Sequence, residues 1–365
     1  MKGSYAITVS NAKLRYDFTI RRNITIIKGN SATGKTTLVE MIREYYESGE
    51  DSGIHLKCEK NCRVLGGRDW KALLSLMDET IVFIDEENAF LPTKEFAEAV
   101  RGSDNYYVIV TREGLPNLPY SVEEIYGIRE SGKYASLKQT YNELFHIYGK
   151  TDYTKPVKPE YVIVEDSNSG YEFFTGAVEK GRCKVVSAGG KSNLFVETIK
   201  SSADNMLIIA DGAAFGSEMD RMMKQIQRKK GMVLYLPESF EWLILQSGII
   251  SDGMVNAVLE KPENFINSQE YFSWERFFTA LLIQMTKDTY LKYSKKKLNE
   301  VYLQESANSH ILRCKDYIFA HLHERIRIPA NTPDLILLGF PSRMAKVPLA
   351  PFLHMKVYKM GLHLS

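Results

Sequence analysis

Cysteine is scarce in this chain: Cys58, Cys62, Cys183 and Cys314 are the only four in 365 residues. Thiols so few and scattered argue against a disulfide scaffold and point to a reducing compartment. Cys58 and Cys62 are separated by three residues in HLKCEKNC, with only His55 close by. Four-ligand closure of a zinc site is therefore not visible. Long apolar runs are also missing. The longest, FFTALLIQM and LILLGF, fall well short of the ~20 residues that span a bilayer. The opening MKGSYAITVS has no apolar core of a secretory leader. Nor is there an excess of one charge: 47 Lys and Arg face 45 Asp and Glu, for a net +2. That excludes a uniformly basic nucleic-acid coat while leaving room for a local basic groove. Together these absences predict a cytoplasmic protein with no membrane contact.

What is present is ordinary globular material, 44% hydrophobic and 25% charged. At about 150 residues per domain the length suggests two domains. Tyr5 to Ser10 and Lys13 to Ile20 alternate as a β-hairpin does. Strands are then expected at Ile24 to Lys28, Ile81 to Ile84 and Tyr107 to Val110. Helices are expected at Lys35 to Tyr46, Asp69 to Met77 and Lys94 to Arg101. Such alternation predicts an α/β fold with a mostly parallel sheet. The proline-bearing KTDYTKPVKPE, residues 150–160, reads as a linker. Beyond it the alternation resumes, with strands at Tyr161 to Val164, Lys184 to Ser187, Met206 to Ala210 and Met232 to Leu234. Met219, Met222, Met223 and Ile226 recur at helical spacing, as core residues do. The expected organisation is a first domain over 1–150, a second small α/β domain over 160–256, a helical region over 257–328 and an unassigned tail over 329–365. Within the helical region the lysines of LKYSKKKL, Lys292 to Lys297, read as a solvated helix face.

The most informative segment is GNSATGKT: Gly29, Asn30, Ser31, Ala32, Thr33, Gly34, Lys35 and Thr36, with Thr37 following. It matches the P-loop pattern, follows the apolar ITIIK and opens a helix. Glycines let backbone N–H groups curl inward around a phosphate, and the helix N-terminus adds partial positive charge. Lys35 supplies a point charge for the β- and γ-phosphates, and the Thr36 hydroxyl suits Mg²⁺. ATP and magnesium are the expected ligands.

Residues 80–86, TIVFIDE, resemble the Walker B element of P-loop ATPases. That resemblance makes Asp85 the magnesium partner and Glu86 the catalytic base. Thr111 and Arg112, at the end of YYVIV, are candidates to sense the γ-phosphate, and Arg112 or Arg101 could act as an arginine finger on a neighbouring subunit. No LSGGQ-type signature lies between Gly34 and Asp85, and no NKxD follows. Those absences argue against an ABC protein and a GTPase. Tyr5, Tyr16 and Phe18 are candidates to stack on adenine.

In the second domain YVIVEDSNSGYEFF, VVSAGGKSNL and MLIIADGAAFGSEMD resemble a TOPRIM domain. The resemblance implies a metal held by Glu165 and Asp211. It departs from the family where the second aspartate of DxD would fall, at Ala213; Asp166 and Asp220 are the nearby carboxylates. A P-loop ATPase joined to a TOPRIM-like domain resembles OLD-type nucleases and related anti-phage systems. The expectation is an ATP-hydrolysing protein whose first domain regulates the second, with nucleic acid, a partner protein or further copies of itself as partners. Two alternatives stand beside it: a nucleotide-dependent assembly switch with an inert second domain, and a phosphotransferase.

Overall fold

The computed structural model describes residues 1–29, 34–131, 139–150, 159–178, 183–229, 231–313 and 358–360. The chain is α/β and divides into two compact units. One comprises residues 1–147 and 260–274, the other 148–259 and 275–365. The stretch 257–328, read from sequence as one helical region, is thus shared between them. Residues 260–274 belong to the first unit because they are tied there. The Met1 ammonium donates to Ser268 Oγ at 2.9 Å, and the Arg22 guanidinium lies 3.6 Å over the Trp274 ring.

Among its described residues the first unit holds nine strands: β1 (Tyr5–Ser10), β2 (Leu14–Ile20), β3 (Ile24–Ile27), β4 (His55–Lys57), β5 (Cys62–Val64), β6 (Ile81–Ile84), β7 (Tyr106–Val110), β8 (Ile125–Glu130) and β9 (Thr140–His146). Their order in the sheet is β4-β1-β2-β9-β8-β3-β7-β6-β5. β1 and β2 form the expected antiparallel hairpin, whereas β3, β5, β6, β7 and β8 run parallel to their neighbours among themselves. β3, β6 and β7 are buried throughout, as parallel strands covered on both faces must be.

The two edge strands, β4 and β5, are consecutive in the chain. Eight steps of about 4.8 Å would set the edges of a flat sheet ~38 Å apart, yet five residues reach at most ~18 Å. The sheet therefore curls until its edges approach each other. α1 (Lys35–Ser48) packs against β1, β4 and β5. Its Leu38, Val39, Met41 and Ile42 join a core cluster with Ile7, Val9, Ile27, Phe83 and Val108. α2 (Trp70–Leu74) and α3 (Lys94–Arg101) complete the unit, and the Thr93 hydroxyl caps α3 by accepting from Phe96 N.

In the second unit β11 (Tyr161–Val164), β12 (Lys184–Ser187), β13 (Met206–Ile209) and β14 (Met232–Tyr235) form an all-parallel sheet in the order β12-β11-β13-β14. The short β10 (Tyr148–Lys150) pairs separately with β15 (Tyr358–Met360). Helices α4 (Ser169–Ala177), α5 (Lys191–Lys200), α6 (Met219–Arg228) and α7 (Phe240–Gln246) alternate with the strands. α6 buries Met219, Met222, Met223 and Ile226, the periodic set seen in the sequence.

α8 (Gly253–Glu260), α9 (Trp274–Thr286) and α10 (Glu305–Arg313) follow. The lysine-rich stretch is not a helix. Residues 287–299 turn irregularly, held where Tyr302 Oη donates to Leu291 O at 2.5 Å and Asn299 Nδ2 donates to Tyr290 O at 2.9 Å. Apart from β15, the tail over 329–365 lies outside the described residues. None of the described helices is long and apolar enough to cross a membrane.

Candidate functional site

Three neighbouring parallel strands of the first unit end together. Ile27 of β3 pairs with Val110 of β7, and Ile84 of β6 pairs with Ile109. Gly29, Thr111 and Asp85 consequently emerge at one end of the sheet. Gly29 and Gly34 have φ of +146° and +84°. Gly34 stands at the N-cap of α1, where Tyr16 Oη donates to its carbonyl at 2.9 Å. A Cβ on Gly34 would lie 2.8 Å from that hydroxyl, so both the dihedral and the close approach call for glycine. Asn30, Ser31, Ala32 and Thr33 lie outside the described residues. Thr36 and Thr37 occupy the first turn of α1, Thr36 exposed and Thr37 half-buried.

Lys35 is buried, and its ammonium donates to Gly29 O at 2.9 Å. Burial pulls its pKa down, Glu86 and Asp85 oppose that, and Arg112 adds to it. Three charged groups therefore act on Lys35. Asp85 is buried, and its Oδ1 accepts from Glu86 N at 2.7 Å. Glu86 Oε1 is 2.8 Å from Arg112 Nη2. Thr111 is buried, and its hydroxyl donates to Glu113 O at 3.1 Å within its own loop. Arg101 lies 5.1 Å over the Phe272 ring and is not among the charges acting on Lys35. Tyr5 and Tyr16 are core residues that present no open face for a base, and Phe18 packs against the same core. Thr36 offers a hydroxyl oxygen and Asp85 carboxylate oxygens, the donor types a hard divalent cation takes.

The second unit holds a different constellation. Its chain order places β12 and β13 on opposite sides of β11, so the crevice between the carboxyl ends of β11 and β13 is the switch point where parallel sheets accept ligands. Glu165 follows β11 and Asp211 follows β13, and Asp211 N donates to Glu165 Oε2 at 3.0 Å. An open pocket of about 190 Å³ lies here, lined by Glu165, Asp166, Ser167, Gly189, Gly190, Asp211, Glu275 and Lys295.

The sequence pointed to Glu165 and Asp211 but not to Glu275, Lys295 or Glu241. Lys295 Nζ lies 2.6 Å from Glu275 Oε1 and 3.6 Å from Glu241 Oε1. Glu241 Oε1 also accepts from Tyr293 Oη at 2.8 Å, while its buried Oε2 has no hydrogen-bond partner. The signal for both glutamates was a lone acid inside an apolar run, FEWLIL and WERFF. Exposed Lys292, Lys296 and Lys297 do fit a solvated surface; half-buried Lys295 does not.

The electrostatics match the crowding. Burial pushes Glu165 up to about 7, against the Asp211 N–H bond that favours its ionised form, and Glu275 pushes the same way as burial. Asp211 is raised by burial and then by Glu275 and Glu165. Burial lowers Lys191, whose ammonium donates to Ala214 O at 3.1 Å. Burial would lower Lys295 too, but Glu241, Glu275 and Asp211 override it and raise the ammonium. Asp166 caps the start of α4, accepting from Asn168 N at 3.0 Å and Gly170 N at 2.8 Å. Asp220 instead accepts from Tyr148 Oη at 2.6 Å and does not line the pocket. Ala213 is buried, with its N–H on Glu238 O at 3.2 Å. Among the described residues no three His, Cys, Asp or Glu side chains are grouped to hold one metal ion; at the pocket a lysine stands among the acids.

No family model, curated protein or solved structure matches this chain.

Proposed function

We propose that this chain binds ATP with Mg²⁺ in its first unit and hydrolyses the γ-phosphate. The observation that supports this best is the meeting of Lys35, Asp85 and Glu86 at the shared end of β3, β7 and β6. Lys35 and the α1 N-terminus neutralise phosphate charge. Thr36 and Asp85 hold Mg²⁺, which when bound draws charge from the phosphate oxygens. Glu86 orients a water whose oxygen attacks the γ-phosphorus in line and accepts its proton, as the bridging oxygen leaves with ADP. Thr111 and Arg112 border the same space. The expected result is that Lys35→Ala loses ATP binding and phosphate release together. ATP binding at wild-type affinity by that variant would overturn the reading.

In this proposal hydrolysis regulates the second unit, whose pocket resembles a TOPRIM carboxylate site and makes nucleic acid the expected substrate class. Metal-dependent nicking of plasmid DNA, lost in Glu165→Ala, is the outcome that supports it. A second reading rests on the ion pairs of Lys295 with Glu275 and Glu241 and on Ala213. These leave fewer carboxylates for metal, and two-metal cleavage needs several. In that reading the second unit is inert and ATP controls assembly. It predicts ATP-dependent particle size without cleavage, even with Mn²⁺.

A further inference from the structure

Tyr16 stands on β2 with its ring buried in the core cluster it shares with Leu38, Val39 and Ile42 of α1. Its strand is paired on both sides. Val9 of β1 faces it in antiparallel register and Asn142 of β9 in parallel register. Ring and strand are therefore fixed, and what the side chain offers is its hydroxyl. That hydroxyl donates to Gly34 O at 2.9 Å. Burial pushes it up to about 12, so it stays a donor at neutral pH. Leu38 N donates to the same carbonyl at 3.0 Å as the first turn of α1 closes. Gly34 has φ +84° and ψ +6°, and no side chain caps the helix there. Glycine visits more backbone conformations than any other residue. Here a hydroxyl from another strand holds it in one.

A trans peptide is planar, with its C=O and N–H pointing opposite ways. Holding Gly34 O toward Leu38 and Tyr16 thus fixes the Lys35 N–H facing the other way, out of the start of α1. The N–H groups of a first helical turn look out along the axis and are the ones that meet an anion. The Lys35 ammonium is in turn held by Gly29 O at 2.9 Å. Both ends of the loop are thereby anchored, Gly29 through the Lys35 side chain and Gly34 through Tyr16. We propose that Tyr16 is a positioning residue of the phosphate seat: its hydroxyl locks the Gly34–Lys35 peptide so that the Lys35 N–H meets the β-phosphate of the nucleotide. The proposal rests on the reading of the first unit as an ATP site. ATP and ADP both carry that phosphate, and it is not the group transferred. The lock therefore contributes equally before and during the chemical step, and its loss weakens binding without slowing hydrolysis. A role through the adenine ring would instead spare a ligand made of phosphate alone.

The test compares Tyr16→Phe with wild type in the full chain. It reads dissociation constants for ATP, ADP and inorganic tripolyphosphate, each with Mg²⁺, and single-turnover hydrolysis at saturating ATP. The hydrogen bond corresponds to about fivefold in affinity. All three dissociation constants should rise by that common factor, while the single-turnover rate stays within about twofold of wild type. Tyr106→Phe is the control for general loosening. Its ring belongs to the same core cluster, and its hydroxyl donates to Gly3 O at 3.2 Å. Tyr106 begins β7, at the end of that strand away from Thr111. Tyr106→Phe should leave all three constants unchanged although it too loses a hydrogen bond. The proposal is overturned if ATP and ADP weaken but tripolyphosphate does not, if Tyr106→Phe weakens binding equally, or if only the chemical step slows. A wild-type chain that binds none of the three ligands overturns the ATP reading and this proposal with it. Wild-type binding that Tyr16→Phe leaves intact overturns this proposal alone.

Discussion

Arg112 Nη2 stands 2.8 Å from Glu86 Oε1, so the acid that follows β6 is held by the cation that follows β7. These strands are neighbours in register, and the pairing follows from their common end. The guanidinium occupies a carboxylate oxygen that a water would otherwise approach.

Arg112→Ala is accordingly expected to raise basal ATP hydrolysis by a factor of a few, measured as phosphate release at saturating ATP. A fall would instead give Arg112 the role of neutralising phosphate charge.

Glu86→Gln keeps the shape of the side chain and removes its basicity. ATP affinity should stay near the wild-type value while turnover falls by about 10²-fold or more. Equilibrium binding and single-turnover hydrolysis separate the two effects, and undiminished turnover would dismiss Glu86 as the base.

Gly34→Ala places a Cβ at φ +84° and 2.8 Å from Tyr16 Oη. The left-handed backbone alone costs about 1–2 kcal/mol, and the contact adds to it. Tyr16→Phe loses the hydrogen bond to Gly34 O, worth about 1 kcal/mol, but also removes the crowding atom. The double variant should be more stable than the sum of the singles implies, read from denaturant melts.

Glu165 holds its proton up to about pH 7 in the folded chain, against its ordinary 4.5. Between those values the folded state binds the proton better than the unfolded one. Its contribution to stability is complete below pH 4.5 and lost as pH rises to 7. Buried Glu124 is raised to about 7 as well and adds a slope of the same sign, so the informative quantity is a difference. Glu165→Gln should gain thermal stability over wild type at pH 8 and show little gain at pH 4.5. An equal shift at both values would count against the raised carboxyl.

Lys295→Met leaves Glu275 without its 2.6 Å partner and Glu241 without its nearby cation. Lys295 is 35% exposed, so the loss should be about 1–3 kcal/mol, below the range for a fully buried pair. Glu241→Gln in the Lys295→Met background should restore part of it, measured by the denaturation midpoint.

Much of the first unit was legible in order of residues alone. Ile24–Ile27, Ile81–Ile84 and Tyr106–Val110 are short apolar runs, and a buried parallel strand needs little more. β8 and β9 were not legible. IYGIRE and TYNELFH mix polar and apolar residues because β9 is half-buried, and Arg129 and Glu143 face each other across the pair. Their partnership depends on register, which composition does not carry. The curl of the sheet was invisible for the same reason: it follows from β4 and β5 standing at opposite edges.

By itself, the sequence determined the local chemistry of the first site: two glycines, a lysine and two adjacent acids at spacings that only strand–loop–helix geometry makes useful. Tertiary structure alone decided which distant charges act on one another at and beside the second pocket. Glu165, Asp211, Glu241, Glu275 and Lys295 are spread over 130 residues and carry no common spacing. They act together because burial between packed elements removes water, and a charge so placed must find a partner or change its protonation.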